Sequence, residues 1–403
     1  MIRTLEIVPR WRFPDYFDAG GWEFDKLGDH LEYLQPTPYL VRSTKYDNNY
    51  PVPVLTAGKT FLLGYTDEVD GIFDQDLPVI IFDDFTTSSK FVNFPFKVKS
   101  SAMKILLPKN NSNIRFFYEL LQVIDYEVAG HGRHWISFFA NMKVPVPGAG
   151  EQKKVADCLS SVDDRIGAET RKLDVLKAHK QSLMQQLFPA EGQRLPRLRF
   201  PAFRSDVIWV SSKVGDIAEI RSGGTPRRTN LDNWGGDIPW VTTSLIDSNI
   251  IRDANECITQ MGLKDSAAKV FPKGTVLMAM YGQGKTRGKV AILGIDAATN
   301  QACAAISVGD RVNANFLFHN LDYRYAEIRS ISNPGGQENL SGELIKNINF
   351  TYPKEREEQQ KISDCLSSLE SLIAAQVCKI TLLQQHKRGL MQGLFPALET
   401  TVS

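Results

Sequence analysis

The chain has little of what marks a secreted, membrane or metal-dependent protein. Its five cysteines (Cys158, Cys257, Cys303, Cys365, Cys378) are few for 403 residues, odd in number and contain no CxxC pair. That pattern excludes a disulfide framework or a cysteine-based zinc site and fits reduced thiols in the cytoplasm. The opening stretch MIRTLEIVPRWRFPDYFDAGG has no apolar segment of the kind a signal peptide requires. No uninterrupted apolar run approaches 18 residues, so no membrane-spanning helix is expected. Neither sign of charge is in excess: 47 basic against 46 acidic residues leave a net charge of +1. Any affinity for a polyanion must therefore come from local patches.

Catalytic signatures are also missing. No GxGxxG follows a strand pattern, no Asn-Pro-Pro-aromatic string is present, and no His or Cys cluster has metal-ligand spacing. The segment YGQGKTRG (Tyr281–Gly288) contains Gly-Lys-Thr, but Ala279 stands where a phosphate loop has its first glycine, and the strand-like KVAILG follows instead of a helix. A glycine-rich hairpin turn is the simpler reading. His131 and His134 read as surface or packing histidines, since no third ligand lies near them in sequence.

What the chain does have is an internal duplication, the feature to read first in any sequence. Glu151–Ala190 aligns without a gap on Glu358–Ala397 at an offset of 207, with 21 identities in 40 positions, including DCLSS in both copies. Apolar residues in the first copy fall at Val155, Leu159, Val162, Ile166, Leu173, Leu176, Leu183 and Leu187. In the second they fall at Ile362, Leu366, Leu369, Ile373, Ile380, Leu383, Leu390 and Leu394. Steps of three, four and seven make a heptad seam. The seam is interrupted at Glu169 and Lys180, and at the matching Gln376 and Lys387. Each copy follows a breaker (VPVPGAG, FTYP) and ends at LFPA, so each is expected to be one helix of about 55 Å. Such stripes must be buried. The first expectation is an antiparallel intramolecular pair, and the alternative is a homodimeric coiled coil. Cys158 and Cys365 fall at the seam's edge as small half-buried residues.

A second echo has an offset of 187. PRWRFPDY (Pro9–Tyr16) matches PRLRFPAF (Pro196–Phe203), Trp22 matches Trp209, and KLGD (Lys26–Asp29) matches KVGD (Lys213–Asp216). Each half thus reads as an entry motif, a globular stretch, then a long helix. The linker that joins the first helix to the second globule is split across the chain ends, which implies a cyclic, pseudo-two-fold arrangement. The expected fold class is α+β: two mixed α/β domains separated by two long helices. The boundaries are 1–148 for the first domain, 149–188 for the first helix, 189–206 for the linker, 207–353 for the second domain, 354–394 for the second helix and 395–403 for the tail. Strands are expected at 78–82, 102–108, 142–147, 237–242, 274–281, 289–293 and 347–353. SNPGGQENLS (Ser332–Ser341) reads as a turn whose Asn339 or Ser341 caps a short helix.

Loops rich in Arg, Lys, hydroxyls and glycine recur in both globules. They carry Arg42, Ser43 and Lys45; Thr86, Thr87 and Lys90; and Arg133 in the first. In the second they carry Arg221, Thr225, Arg227 and Arg228; Thr242, Thr243 and Ser244; and Lys285, Thr286 and Arg287. Such side chains grip phosphates and base edges. Each loop alone could be a solvated turn.

The duplicated helices, the run SGGTP…WGGDIPWVTTSLI (Ser222–Ile246) and GGQENLSGELIKNINFTYP together resemble the specificity subunits of type I restriction–modification systems over essentially the full length. The first globule lacks the SGGTP run. The resemblance implies two target recognition domains, each reading half of a bipartite, asymmetric site in double-stranded DNA. It implies paired helices that space the half-sites and dock two methyltransferase subunits, with restriction (nuclease and translocase) subunits joining them. S-adenosylmethionine, ATP and Mg would belong to those partners, with no cofactor, metal or catalytic residue in this chain. The competing readings are a coiled-coil scaffold whose globules bind proteins, and a stand-alone DNA enzyme, which the missing motifs disfavour.

Overall fold

The computed structural model describes residues 7–56, 60–126, 134–204, 207–282, 285–331 and 339–397. It divides into two compact units, Met1–Thr170 with Cys378–Ser403, and Arg171–Val377. The fold is α+β. Two unbroken helices of 39 residues, Ala149–Leu187 and Arg356–Leu394, each contribute one end to each unit. Acidic residues occupy their first turns (Glu151; Glu357 and Glu358), where the helix dipole favours negative charge. Both stop just before a proline, Pro189 and Pro396.

The two sequence echoes describe one joint built twice. In the first unit Arg12 donates from Nε and Nη2 to the Glu151 carboxylate, both at 2.8 Å. In the second Arg199 grips Glu358 the same way at 2.6 and 2.7 Å. Both carboxylates are almost wholly buried, which a bidentate guanidinium can support. The neighbouring glutamines repeat the pattern. Gln152 Oε1 accepts from the Asn113 backbone N–H (3.1 Å) and Gln359 Oε1 from that of Asn313 (2.7 Å). Those asparagines cap the helices Ile114–Val123 and Ala314–Tyr323 with their side chains. The N–H of Trp11 donates to Gly393 O and that of Leu198 to Gln186 O, both at 2.8 Å. Trp22 and Trp209 are buried against the same capped helices, beside Phe116 and Phe316. A strand after each tryptophan pairs with the strand before each long helix: Glu23–Lys26 with Lys143–Val146, and Val210–Lys213 with Asn349–Tyr352.

The sixteen seam positions are buried or half-buried. Val155, Leu159, Leu173, Leu187, Ile362, Leu366 and Leu394 are fully buried; Val162, Ile166, Leu176, Leu183, Leu369, Ile373, Ile380, Leu383 and Leu390 are half-buried. The full burial is concentrated at the helix ends, where a globular core covers the stripe. Val155, Leu159 and Leu394 join one core, and Leu187, Ile362 and Leu366 join the other.

The polar interruptions of the seam are paired. In the first unit Lys387 Nζ lies 2.7 Å from Asp163 and 3.0 Å from Glu119 of the capped helix. Arg115 contacts both carboxylates. Lys379 reaches the buried Glu169 at 2.7 Å. Residue numbers rise along one helix as they fall along the other. In the second unit Lys180 Nζ lies 2.7 Å from Glu370 and 3.3 Å from Asp322 of its capped helix. His319 Nε2 is 3.1 Å from Ser367 Oγ.

Around this frame the β-structure differs. The first unit has an antiparallel four-stranded sheet in the order 31–34, 103–108, 79–83, 89–92, and a three-stranded sheet, 62–66, 52–55, 97–98. The second has a five-stranded sheet (218–222, 303–308, 276–279, 290–293, 249–251) and a four-stranded one (256–258, 234–241, 297–299, 270–271). Strands lie in all seven stretches expected from the sequence, and Ser341 caps the short helix Gly342–Lys346. Most of the strands not foreseen have five residues or fewer. Averaged hydropathy also departs from the count of apolar runs: an 18-residue window of Arg356–Leu394 reaches a mean of 1.4, so this helix is long and apolar enough by composition to cross a membrane. The run count missed it because isolated polar residues interrupt the run without lowering the mean much.

Candidate nucleic-acid interface

In the second unit the strand order brings separate loops to one edge. The N–H of Gly224 donates to Thr299 O (2.8 Å), that of Asn300 to Val241 O (3.0 Å), that of Met280 to Ala302 O (2.9 Å) and that of Leu340 to Met280 O (2.9 Å). The loops that carry Thr225 and Arg227, Thr242–Ser244, and Tyr281–Gly282 are thereby stitched together. Thr225, Arg227, Ser244 and Lys285 are exposed; Thr242, Thr243 and Thr286 are half-buried. Thr242 and Ser244 share a hydroxyl hydrogen bond of 2.7 Å.

The path of the SGGTP segment is set by contact. A Cβ on Gly223 would fall 1.9 Å from Thr299 O, and one on Gly224 would fall 2.4 Å from the backbone at Ala267 and Ala268. Trp240 Nε1 donates to Gly224 O at 3.0 Å. Only glycine lets the backbone approach this closely. Beyond it, the Arg228 guanidinium lies 3.8 Å from the Trp234 ring centroid and 5.1 Å from that of Trp240. It forms a bidentate pair with Glu256. Their mutual hydrogen bond lowers the Glu256 carboxyl below its usual range and raises Arg228. Arg221 is exposed and paired with Glu219. Arg287 is buried, and its Nη2 donates to Arg329 O at 2.9 Å. The Gly-Lys-Thr segment lies between strands Val276–Ala279 and Val290–Leu293, which pair antiparallel. A strand, not a helix, follows it.

In the first unit the described candidates lie on separate segments, two loops and a strand. Glu68 Oε1 accepts the backbone N–H groups of Arg42 (2.9 Å) and Ser43 (2.7 Å). Burial works to raise that carboxyl, but these amides and Lys97 outweigh it and hold it below the usual range. Arg42 and Lys45 are exposed, and Ser43 is half-buried. Thr86 and Thr87 form the turn between strands Val79–Asp83 and Ser89–Val92, with Thr86 Oγ1 donating to Asp83 Oδ2 at 2.7 Å. Lys90 is exposed on the second of these strands. His134 is buried at the start of a short helix whose Trp135 N–H donates to Asp84 Oδ1 (2.8 Å). Arg133 and His131 lie outside the described residues.

Sequence reasoning passed over Gln301. It is exposed, between two strands, and its side-chain oxygen accepts from the Thr225 hydroxyl. A lone glutamine in TNQA has no local signal; only the strand order places it among the other loops.

The chain is similar to known proteins in sequence and in fold. The family model described as type I restriction modification DNA specificity domain matches residues 19–178 and again 207–382. The type I restriction enzyme EcoR124I/EcoR124II specificity subunit of Escherichia coli is 31% identical over 362 residues, covering 87% of each chain. The type I restriction enzyme MjaIX specificity subunit of Methanocaldococcus jannaschii is 32% identical over 192 residues, 46% of this chain and 44% of that one. In fold, the chain is similar to the S subunit of a type I restriction–modification system from M. genitalium, with a TM-score of 0.65, 15% identity and coverage of 97% and 100%. A further type I system structure gives 0.53 at 15% identity, covering 94% and 98%. With two matched specificity domains, each on its own copy of the Arg–Glu joint, the chain belongs to the family of type I restriction–modification specificity subunits.

Proposed function

We propose that this chain reads an asymmetric bipartite site in double-stranded DNA, with residues 1–148 recognising one half-site and 207–353 the other. The observation that carries this reading is a joint repeated in detail beneath two unlike sets of loops. Identical joints fit a common mounting, and unlike loops fit two different half-sites. The two long helices act as the spacer, paired as an antiparallel intramolecular coiled coil with pseudo-two-fold symmetry. In support, Asp163–Lys387 with Glu169–Lys379, and Lys180–Glu370, cross between the helices in the two units. The sequence offset of 207 that carries Lys180 onto Lys387 also carries Asp163 onto Glu370.

Two methyltransferase subunits and the restriction subunits dock on this frame in the cytoplasm. They supply S-adenosylmethionine, ATP and Mg, and this chain supplies no catalytic group. The exposed apolar residues Leu372, Val377 and Leu382 on the second long helix suit such docking. Among the candidate DNA contacts, Thr225, Arg227, Ser244 and Lys285 in the second domain and Arg42, Lys45, Thr86 and Lys90 in the first have the exposure a contact requires, as do the ion-paired Arg221 and Arg228.

The test is a genome-wide profile of methylated sites in cells carrying this subunit and its partners. A split motif with two different halves is expected. Arg227→Ala should weaken binding or relax one half only, by about 1–3 kcal/mol where a base contact is lost. Seven residues inserted into the first long helix should change the gap and leave both halves intact. Altered halves after that insertion would remove the spacer assignment; no DNA-sequence dependence at all would favour a protein-binding scaffold.

A further inference from the structure

The edge where the second unit's loops meet holds a side chain that is both exposed and fixed. Gln301 stands between strands Ala297–Thr299 and Cys303–Val308. On one side Asn300 donates its N–H to Val241 O, and on the other Ala302 O accepts from Met280 N–H. Asn300 Oδ1 closes the turn over Gln301 by accepting from the Ala302 N–H at 3.2 Å. The side chain is tied as well, through its hydrogen bond with Thr225. Thr225 follows the glycine pair that is wedged under Thr299 and Ala268 and pinned by Trp240.

An exposed glutamine ordinarily samples many rotamers, and ordering one on binding costs entropy. Here that freedom is already restricted in the free protein. The amide keeps donor hydrogens on nitrogen and a second lone pair on oxygen. An adjacent donor and acceptor of this kind matches the major-groove edge of adenine, which offers N6–H and N7 side by side.

We infer that Gln301 is a base-reading residue of the second domain, specifying an adenine in its half-site, and that Thr225 is the residue that positions it. This rests on the reading of that domain as a DNA reader. Preorganised contacts supported by a second layer of hydrogen bonds are the ones that discriminate.

The experiment uses the full-length chain assembled with its methyltransferase partners, assayed against a duplex library randomised one position at a time and by the methylated motif in cells. Gln301→Ala should relax one adenine position of one half-site, losing about 5- to 150-fold discrimination there, with every other position unchanged. Gln301→Glu should move that position toward cytosine, whose N4–H donates to a carboxylate. Thr225→Val, similar in size but without the hydroxyl, should relax the same position less, and Thr225→Ser should restore it. A Gln301→Ala protein that weakens all sequences equally, or keeps its motif, overturns the assignment while the bipartite reading stands. A wild-type complex without a split motif overturns both.

Discussion

The two units share one joint and fill it with different charges. At the Arg12–Glu151 and Arg199–Glu358 clamps the chemistry is the same atom for atom. About three helical turns along, at Asp163 and Glu370, it diverges. The first unit sets two cations, Arg115 and Lys387, against two carboxylates, Glu119 and Asp163. The second sets Lys180 alone against Asp322 and Glu370, and has His319 where the first has Glu119. Burial, with the charge of Lys180, lowers His319 to about 3, so the ring is neutral and its 3.5 Å approach to Glu370 is not an ion pair. Burial works against the charge on Lys180, but Glu370 and Asp322 outweigh it and raise the ammonium's pKa. Burial raises Glu370, with Lys180 partly opposing it. The clamp is the same in both units, and its carboxylate has almost no access to water. The layer beside it differs between the units, and a lysine bridges both helices in each.

That contrast sets an order of effects. Removing the clamp should cost most and cost both units alike. Arg12→Ala and Arg199→Ala each leave a buried glutamate without its cation, for a loss of roughly 3–5 kcal/mol by denaturant unfolding. Unequal losses would mean the two joints are not equivalent. Next comes the bridging lysine, where the units should part. Lys180→Met leaves two carboxylates unpaired and should destabilise by about 3 kcal/mol, whereas Lys387→Met leaves Arg115 in place and should cost about half as much. Equal losses would mean Arg115 does not share the load.

The third effect is with pH and should separate the units most cleanly. His319 in the folded chain titrates near 3, against about 6.5 when unfolded. Below about 6.5 the unfolded chain therefore binds more protons than the folded one, and stability falls with falling pH. By pH 5 the loss should reach about 2 kcal/mol, read as faster amide exchange in Ala314–Tyr323. Ile114–Val123 has no histidine and should hold. The lowered carboxyl of Glu68 in the first unit contributes stability that persists above its unfolded pKa and is lost only at still lower pH, as the carboxyl protonates. His319→Gln should flatten the response of the second unit.

Much of this frame was legible in the sequence because it is periodic or repeated. The heptad spacing, the bounding prolines and the offset of 207 give the two helices nearly to the residue. The offset of 187 flags Arg12 and Arg199 as important without showing what they hold. Short strands such as Glu256–Ile258 or Val270–Phe271 were not legible, since two or three residues carry no period. Among the candidate contacts, composition treats Arg227, Arg228 and Arg287 as equals. Folding leaves the first exposed, stacks the second on two indoles against Glu256, and buries the third against Arg329 O.

By itself, then, the amino-acid order determined the pair of long helices, the duplicated plan and the family, because these are written in local patterns and in copies of them. Tertiary structure alone decided which polar residues meet: the pairing of Arg12 with Glu151, the bridging by Lys180 and Lys387, and the meeting of Thr225 with Gln301. Those contacts join residues 76 to 268 positions apart. Such pairings follow from strand order and helix direction, and no window along the chain is long enough to contain them.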